Sequence, residues 1–271
     1  MISIKPLRTL GVLAAAAFIV AATPAAKRVP GYTFESVTKA AISNPNAPAG
    51  TGGFGMTTRS IVTAAGASRM DVISVEGASQ VYAIGDYIIS RDGTMVLVHP
   101  ATKTYVDLMA QATGAMASLP PQLISQMTIT DVTGKSEKIG DETIEGRPTE
   151  HRRVTIGYAM GVMGQSIPTT ITTDYWLAKI SAQIFNPLAP PKTEATLALA
   201  GPAMLELGRK TIELSPKPTD GVPMKMVIET AASMMGRSMG TTITTEVKNL
   251  KEGDVDASLI VVPADYTKAA K

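Results

Sequence analysis

The chain contains no cysteine, and only 2 of its 271 residues are histidine. Aromatic side chains make up 4% of the residues, with a single tryptophan among them. Without cysteine there is no disulfide and no thiolate ligand for a metal, so stability must come from an ordinary apolar core. Roughly 245 residues remain after the amino-terminal segment described below, which is long enough to bury such a core.

Positive charge is not in clear excess either. The chain has 25 Lys and Arg against 23 Asp and Glu, and two of the basic residues, Lys5 and Arg8, lie in the amino-terminal segment. When that segment is set aside, basic and acidic side chains balance. Proteins that bind nucleic acid carry a basic surface, so the composition argues against a nucleic-acid partner.

Residues 1–26 have the order of a secretory signal peptide. Lys5 and Arg8 precede the apolar run from Leu10 to Ala22, and small residues continue to Ala26. The run is shorter than the roughly 20 apolar residues with which a helix crosses a bilayer. We therefore expect cleavage between about residues 22 and 26, export to the periplasm and no membrane span afterwards. Because the cleavage region has no cysteine, the protein is not expected to be a lipoprotein.

The remaining residues, 27–271, are predicted to form one domain that consists mainly of β-strands. Short runs rich in Val, Ile and Thr are separated by Gly and other turn residues. Asp92-Gly93 is typical of a two-residue hairpin turn. From Val222 to Glu229 the residues alternate between apolar and polar, as in a strand with one wet face. We predict the α+β class, with about ten strands in a strongly curved antiparallel sheet, an incomplete β-barrel.

One segment of twelve residues occurs twice. Met163 to Asp174 returns as Met235 to Glu246, with eight identical positions, and a Gly-x-Pro precedes each copy at Gly146 and Gly221. Each unit contains a strand-like run, a Met/Gly tip and a Thr-rich strand, which predicts a β-hairpin used twice. The repeated Thr residues carry no ionisable group, so the repeat indicates architecture and not a reaction centre.

Two segments favour short, broken helices. Met109 to Met127 has helical propensity but is interrupted at Leu119-Pro120-Pro121. Thr193 to Arg209 begins with a possible cap, and Gly201-Pro202 is expected to kink it in the middle. We expect these two helices to cover the concave face of the sheet.

The residues that could support catalysis are not arranged for it. Across the Asp92-Gly93 turn, His99 falls opposite Asp86, which predicts a cross-strand pair, not a triad with the distant Ser90. His151 is interpreted as part of a solvated face, and Trp176 as a core anchor in preference to a ligand-stacking ring. No metal-ligand spacing or phosphate loop occurs. We therefore expect no enzyme activity, no catalytic residue, no metal site and no cofactor.

A set of short motifs, in a fixed order, resembles a bacterial exported family of unknown function. The motifs are Ser68-Arg69-Met70-Asp71-Val72, the Asp92-Gly93 hairpin with His99-Pro100, Gly146-x-Pro148, Thr172-Thr173-Asp174-Tyr175-Trp176, Gly221-x-Pro223 and Val262-Pro263-Ala264-Asp265-Tyr266. That family is similar to the periplasmic lipoprotein carriers of the LolA and LolB kind. The resemblance covers about Thr33 to Tyr266. It implies a single LolA-like domain, with a helical lid over an apolar cavity that takes acyl chains.

The first hypothesis is a periplasmic binding protein or chaperone that holds an apolar small molecule or lipid, such as a lipoprotein acyl chain, under the lid. The predicted lining combines residues of both helices with residues of the sheet. It consists of Leu108, Met109, Met116, Leu123, Leu197, Met204, Leu205, Met226 and Ile228.

Two further hypotheses use the methionines at the hairpin tips. In one, the protein is an envelope interaction or sensor module whose tips contact an envelope protein, because Met and Gly make a deformable apolar surface. The predicted contact residues are Met160, Met163, Met234, Met235 and Met239. In the other, Met234, Met235 and Met239 bind Cu(I) through their thioethers.

Overall fold

The computed structural model describes residues 27–43, 53–77, 82–108, 110–111, 128–162, 164–180, 202–234 and 237–269. The predicted signal peptide, residues 1–26, lies outside these ranges. No helix among the described residues is long and apolar enough to cross a membrane.

The described residues form one open sheet of twelve strands. The strands are β1 (Arg28–Ser43), β2 (Gly53–Thr63), β3 (Ser68–Glu76), β4 (Tyr87–Arg91), β5 (Thr94–His99), β6 (Thr104–Asp107), β7 (Thr128–Ile144), β8 (Arg147–Val162), β9 (Gln165–Ala178), β10 (Val222–Met234), β11 (Arg237–Asp256) and β12 (Thr267–Lys268). Their order in the sheet is β12-β6-β5-β4-β3-β2-β1-β11-β10-β9-β8-β7.

This sheet confirms the predicted α+β class and the open form, but it has more strands than the ten predicted. All neighbouring strands are antiparallel except β12, which pairs with β6 in parallel. Strand β12 has only two residues, too few to produce an alternation that a sequence reveals.

The twelve-residue repeat is confirmed as a hairpin used twice. In the first copy β8 and β9 pair up to Val162 and Gln165, and in the second β10 and β11 pair up to Met234 and Arg237. The two hairpins are neighbours, because β9 pairs with β10. The described residues of the repeat therefore form the returning strand of each hairpin.

The hairpin predicted from Asp92-Gly93 is confirmed as well. Both residues have positive φ, 51° and 75°, as a type I′ turn requires. Arg91 pairs with Thr94 beside the turn. Strand β6 follows as the third strand of the predicted meander.

One helix, α1 (Pro202–Leu214), packs on the sheet. Its Leu207 is buried with Val154 and Ile156 of β8, and Met204 and Leu214 pack against the same group. We call the face of the sheet that bears Val154 and Ile156 the helix face. The other side is the opposite face.

Helix α1 corrects the predicted segment from Thr193 to Arg209. It continues beyond Arg209 to Leu214, and Pro202 is its first described residue. The predicted kink at Gly201-Pro202 stays a prediction. Residues 193–201 and almost all of the other predicted helix, residues 109–127, lie outside the described residues.

The described residues form three core clusters. The first is the group around Val154 and Ile156 that packs under α1. A second cluster contains Tyr32 and Phe34 of β1, with Val62, Met224 and Val247 from other strands. The tyrosine and phenylalanine rings stack with centroids 5.8 Å apart. Burial raises the pKa of Tyr32 far above its usual range.

The third cluster lies on the opposite face, where the carboxy-terminal segment covers the meander. Ile260 is buried against Tyr87, Ile89 and Val98. Asp256 starts the short turn Ala257–Leu259, since its carboxylate accepts hydrogen bonds from the Ser258 amide at 2.9 Å and the Ser258 hydroxyl at 2.6 Å. The residues on the helix face of the meander, Ile88 and Leu97, are buried as well, at 7% and 3% exposure.

Candidate functional site

A continuous row of side chains crosses the helix face through five neighbouring strands. In the order of the strands, the row consists of Val154, Thr173, Ile228, Ile243 and Ala40. Val154, at one end, is buried under α1. Ile228 and Ile243 pair directly and are half-buried. An apolar surface therefore continues from beneath the helix across the middle of the sheet.

The next row contains Met226, another residue of the predicted lining. Met226 lies between Tyr175 of β9 and Thr245 of β11. Because side chains on a strand alternate between faces, Met226 and Ile228 both face the side that bears α1. The sheet thus brings these two predicted residues together beside the helix.

Helix α1 contributes two of the predicted lining residues. Met204 packs against the cluster around Val154, and Leu205 is half-buried. Leu207, which is only 7% exposed, was missed. The signal was present, because Met204, Leu207 and Leu214 recur at the spacing of one helix face.

Tyr175 ties the end of α1 to the sheet. Burial raises the pKa of this phenol, while hydrogen bonds with Ser215 and Thr173 oppose that rise. Ser215 directly follows the helix. A side chain of β9 is thus linked to the residue that follows the carboxy-terminal end of α1.

A group of hydroxyls occupies the helix face next to the apolar row. Ser36 and Thr58 share a hydrogen bond of 2.7 Å, and Thr38 and Thr245 share one of 3.1 Å. Ser36, Thr58 and Thr245 are 5%, 1% and 6% exposed. Buried hydroxyls need such partners. Sequence reasoning missed this group, because Ser and Thr are ordinary strand residues and only the register shows which of them meet.

Of the other predicted lining residues, only Leu108 lies in the described part of the chain. Leu108 is half-buried and directly follows β6. Met109, Met116, Leu123 and Leu197 lie outside the described residues. Their place in a lining stays a prediction.

The predicted pair of Asp86 and His99 is confirmed. His99 Nδ1 lies 3.1 Å from Asp86 Oδ2, and the carboxylate is 6% exposed. The same carboxylate oxygen accepts a hydrogen bond of 2.8 Å from the Ala83 amide. The Asp86 carboxylate thus binds the loop at Ala83 and pairs with His99 on the neighbouring strand. These contacts give Asp86 a structural role.

The prediction that His151 belongs to a solvated face is wrong. His151 is 8% exposed, since its ring stacks on Trp176 at a centroid distance of 4.2 Å. His151 Nε2 lies 2.7 Å from Asp174 Oδ1, and Arg153 donates to both oxygens of the same carboxylate at 2.9 and 3.1 Å. These contacts depend on the register between β8 and β9, which pairs His151 with Trp176 and Arg153 with Asp174.

Trp176 is buried, as predicted, but its neighbours are polar. Lys225 Nζ lies 4.8 Å above the ring on which His151 also stacks. The indole Nε1 of Trp176 has no hydrogen-bond partner in the structure. Among the described residues no group of three His, Asp or Glu side chains is arranged to hold a metal ion.

The tip methionines are only partly described. Met160 is half-buried and Met239 is 44% exposed. Met163 and Met235 lie outside the described residues, and Met234 is the last residue of β10. Contact with a protein and binding of Cu(I) at the tips therefore stay predictions.

Comparison with known proteins gives matches among solved structures. No protein-family model matches the chain. No curated protein matches it either. A LolA superfamily protein from Nitrosomonas europaea is 10% identical, with 84% of this chain and 90% of that chain covered and a TM-score of 0.34. The lipoprotein LppX of Mycobacterium tuberculosis is 9% identical, with 82% and 87% covered and a TM-score of 0.32.

A DUF1329 family protein from Desulfovibrio piger is 10% identical, with 84% and 87% covered and a TM-score of 0.29. The motifs predict a resemblance to LolA-like proteins, and a LolA superfamily protein is among the solved structures that are similar to this chain.

Proposed function

We propose that the protein is an exported, non-enzymatic carrier or chaperone that binds an apolar ligand, a lipid or the acyl chain of a lipoprotein, on the helix face. The ligand lies between α1 and strands β9 to β11. The predicted helix from Met109 to Met127 joins α1 as a lid over a concave sheet. The protein works in the periplasm.

The observation that carries this proposal is the exposure of the apolar row beside α1. Ile228 and Ile243 are large aliphatic residues on neighbouring central strands, yet both are only half-buried. Central strands normally bury such residues fully on the face that a helix covers. A ligand with aliphatic chains would take the remaining surface.

The expected driving force is burial of hydrocarbon. Each methylene removed from water contributes about 0.8 kcal/mol. Ten such groups supply about 8 kcal/mol before the entropic costs of binding. The half-buried Thr38 hydroxyl, which shares a hydrogen bond with Thr245, then gives the polar end of an amphiphile a neighbour that can donate or accept hydrogen bonds.

The arrangement of titratable groups favours binding over catalysis. Asp86 with His99 and Asp174 with His151 are both tied into structural hydrogen bonds. Asp174 belongs to the opposite face, because it alternates with Thr173 on β9. Neither pair lies in the apolar row, where a bound chain would be placed.

Ligand extraction is the direct test. The protein is purified without detergent and extracted with organic solvent, and the extract is examined by mass spectrometry. We expect co-purified lipid, or saturable binding of a fluorescent fatty acid to the emptied protein. If neither is found, the proposal is wrong.

A matched pair of variants on β10 tests the face that binds. Ile228→Gln places an amide in the apolar row, and we expect it to weaken fatty-acid binding about tenfold or more, because a buried amide without partners is costly. Val227→Gln changes the neighbouring half-buried residue, which faces the other side. Val227→Gln should bind within about twofold of the unchanged protein. Equal losses in the two variants would contradict the proposed face.

A further inference from the structure

Hydroxyl groups border the apolar row of Ile228 and Ile243 on both sides. The two neighbouring rows each cross β9, β10, β11 and β1, and they lie on the helix face because alternate residues of a strand share a face. One consists of Tyr175, Met226, Thr245 and Thr38, and the other of Ile171, Thr230, Thr241 and Ile42. We call these two rows, together with Thr173, Ile228, Ile243 and Ala40 between them, the central patch.

The hydroxyls of the central patch have hydrogen atoms to donate. Thr38 and Thr245 share one hydrogen bond of 3.1 Å, which uses only one of the two hydroxyl hydrogens. Thr230 and Thr241 pair with each other and are half-buried, and neither hydroxyl bonds to another described residue. A ligand that covers the patch removes water from these groups, so it has to offer acceptors in place of the water.

Charged side chains on the same strands lie on the opposite face. The central patch contains no Asp, Glu, Lys, Arg or His. The rows that alternate with it face the other way. They contain Lys39, Asp174, Lys225, Glu229 and Glu246. Charge on these four strands is therefore segregated by face.

The ionisable groups on the helix face do not offer a charge to a ligand. In the central patch the ionisable group is the Tyr175 phenol, and burial raises its pKa, which keeps it neutral. On β8, Arg152 is on the helix face, where it already pairs with Glu150 at 2.6 Å and with Asp220 at 3.4 Å. A carboxylate placed on the patch would find no cation there.

These features together restrict the chemistry of the ligand. A carboxylate or phosphate on the central patch would lose its water without gaining a positive partner, which is costly. A plain hydrocarbon would leave the hydroxyl hydrogens without acceptors, which is also unfavourable. The carbonyl oxygen of an ester accepts hydrogen bonds and carries no charge, so an ester avoids both costs.

We propose that the central patch prefers an uncharged lipid ester, such as an acylglycerol, to a lipid with an ionised head. This inference rests on the proposed function and specifies its ligand. The acyl chains lie along Met226, Ile228 and Ile243, and the ester carbonyls accept hydrogen bonds from the threonine hydroxyls on either side. A free fatty acid still binds through its chain, but more weakly.

Competition between two isomeric ligands tests the inference. Laurate and methyl undecanoate have the same number of carbon atoms, but only laurate is ionised at pH 8. Each is titrated into purified protein loaded with a fluorescent fatty acid, and the fluorescence reports displacement of the probe. We expect methyl undecanoate to displace the probe at a concentration about tenfold lower than laurate requires. Equal displacement, or a preference for laurate, overturns the inference.

Adjacent threonines on β11 provide matched variants for the charge argument. Thr241→Lys adds a cation to the central patch, whereas Thr242→Lys adds one to the opposite face, where Thr242 pairs with Glu229. We expect Thr241→Lys to bind laurate about tenfold more tightly, because the cation pairs with the carboxylate. Thr242→Lys should keep the ratio of the two affinities within about twofold. Equal shifts in the two variants overturn the inference.

The hydroxyl argument has a matched pair of its own. Thr38→Val removes a donor from the central patch, and we expect it to weaken the binding of methyl undecanoate about fivefold. Thr244→Val changes a half-buried threonine of the opposite face and should leave that affinity within about twofold. If both variants bind the ester equally well, its carbonyl does not use the threonine hydroxyls and the inference is wrong.

Failure of this inference differs from failure of the proposed function. Protein that binds the fluorescent fatty acid but does not prefer methyl undecanoate overturns this inference alone. Protein that binds neither the probe nor either ligand overturns the proposed function as well. Circular dichroism shows whether each variant is folded, and the comparison of the two ligands in the unchanged protein decides the outcome where a variant is not.

Discussion

The carboxylate of Asp174 shows how a single residue organises one part of the sheet. It accepts from the Arg153 guanidinium and lies 2.7 Å from the His151 ring, while it is 7% exposed itself. The bonds with this carboxylate raise the pKa of Arg153. The arrangement joins β8 to β9 on the face opposite α1, and it removes His151 from solvent.

Residues whose partners lie a few positions away across a two-residue turn were predictable, and residues whose partners lie far along a long hairpin were not. The pair of Asp86 and His99 follows from a two-residue turn, because the turn fixes the register of both strands. The burial of His151 depends on Trp176, 25 positions further along the chain. Local alternation gives no information about such a contact.

Asp256 should make the stability of the carboxy-terminal segment depend on pH. Hydrogen bonds from the Ser258 hydroxyl and amide lower the pKa of this carboxyl in the folded protein. A carboxyl with a lowered pKa stabilises the fold at neutral pH, and this contribution is lost as the pH falls through its folded-state pKa. We expect Asp256→Asn to melt below the unchanged protein at pH 7, and the two melting temperatures to converge in acid.

The control for this prediction is Asp254→Asn. Asp254 is exposed on the same strand, and its substitution should leave the melting temperature nearly unchanged at both pH values. A difference between Asp256→Asn and the unchanged protein that persists in acid would rule out the carboxylate as its cause.

At the scale of elements, the position of α1 depends on a glycine in β7. A Cβ added at Gly134 would lie 2.5 Å from Leu214 Cδ1 and 3.3 Å from the Thr155 carbonyl oxygen. The absence of a side chain at Gly134 thus allows the end of the helix to approach the sheet closely. Gly140, on the same strand, would meet no atom within 4 Å.

These two glycines provide a matched test of helix packing. Gly134→Val should displace α1 and destabilise the protein by about 1–3 kcal/mol, the usual cost of overpacking. Gly140→Val should be neutral or slightly stabilising, because Val favours strands. Urea denaturation followed through Trp176 fluorescence measures both effects. If both variants have the same stability, α1 does not pack over Gly134.

The repeated hairpin was predictable and the helix boundaries were not. Two copies of a twelve-residue segment reinforce one another, so the strand–tip–strand pattern is clear without a structure. Helix α1 passes the predicted end at Arg209 and reaches Leu214, which packs on the sheet in the same cluster as Met204 and Leu207. Contacts of this kind between a helix and a sheet cannot be seen in the local sequence.

At the scale of the whole molecule, the open sheet has two edges that need protection from pairing with other chains. Edge strand β12 has two residues, and edge strand β7 has two register shifts and several charged side chains. Short edges, bulges and charges all discourage edge-to-edge association. The molecule can therefore expose an apolar helix face without presenting an unprotected sheet edge as well.

The class of the fold and the apolar face of its strands follow from residue alternation, because period-two patterns survive in a single sequence. The lining of the site follows only in part. Met226 and Ile228 were predictable from the alternation in β10, whereas the hydroxyl pairs depend on the register between β1, β2 and β11. Register between distant strands is a property of the assembled sheet.

Photo-crosslinking with a diazirine-bearing fatty acid shows which face of the sheet holds an apolar ligand. The probe is bound to the purified protein and activated by light, and the attachment sites are found by mass spectrometry of peptide fragments. We expect attachment on the helix face, at or beside Met226, Ile228 and Ile243, and on α1 near Met204. Attachment confined to the opposite face, or none above the level seen with unfolded protein, would contradict this expectation.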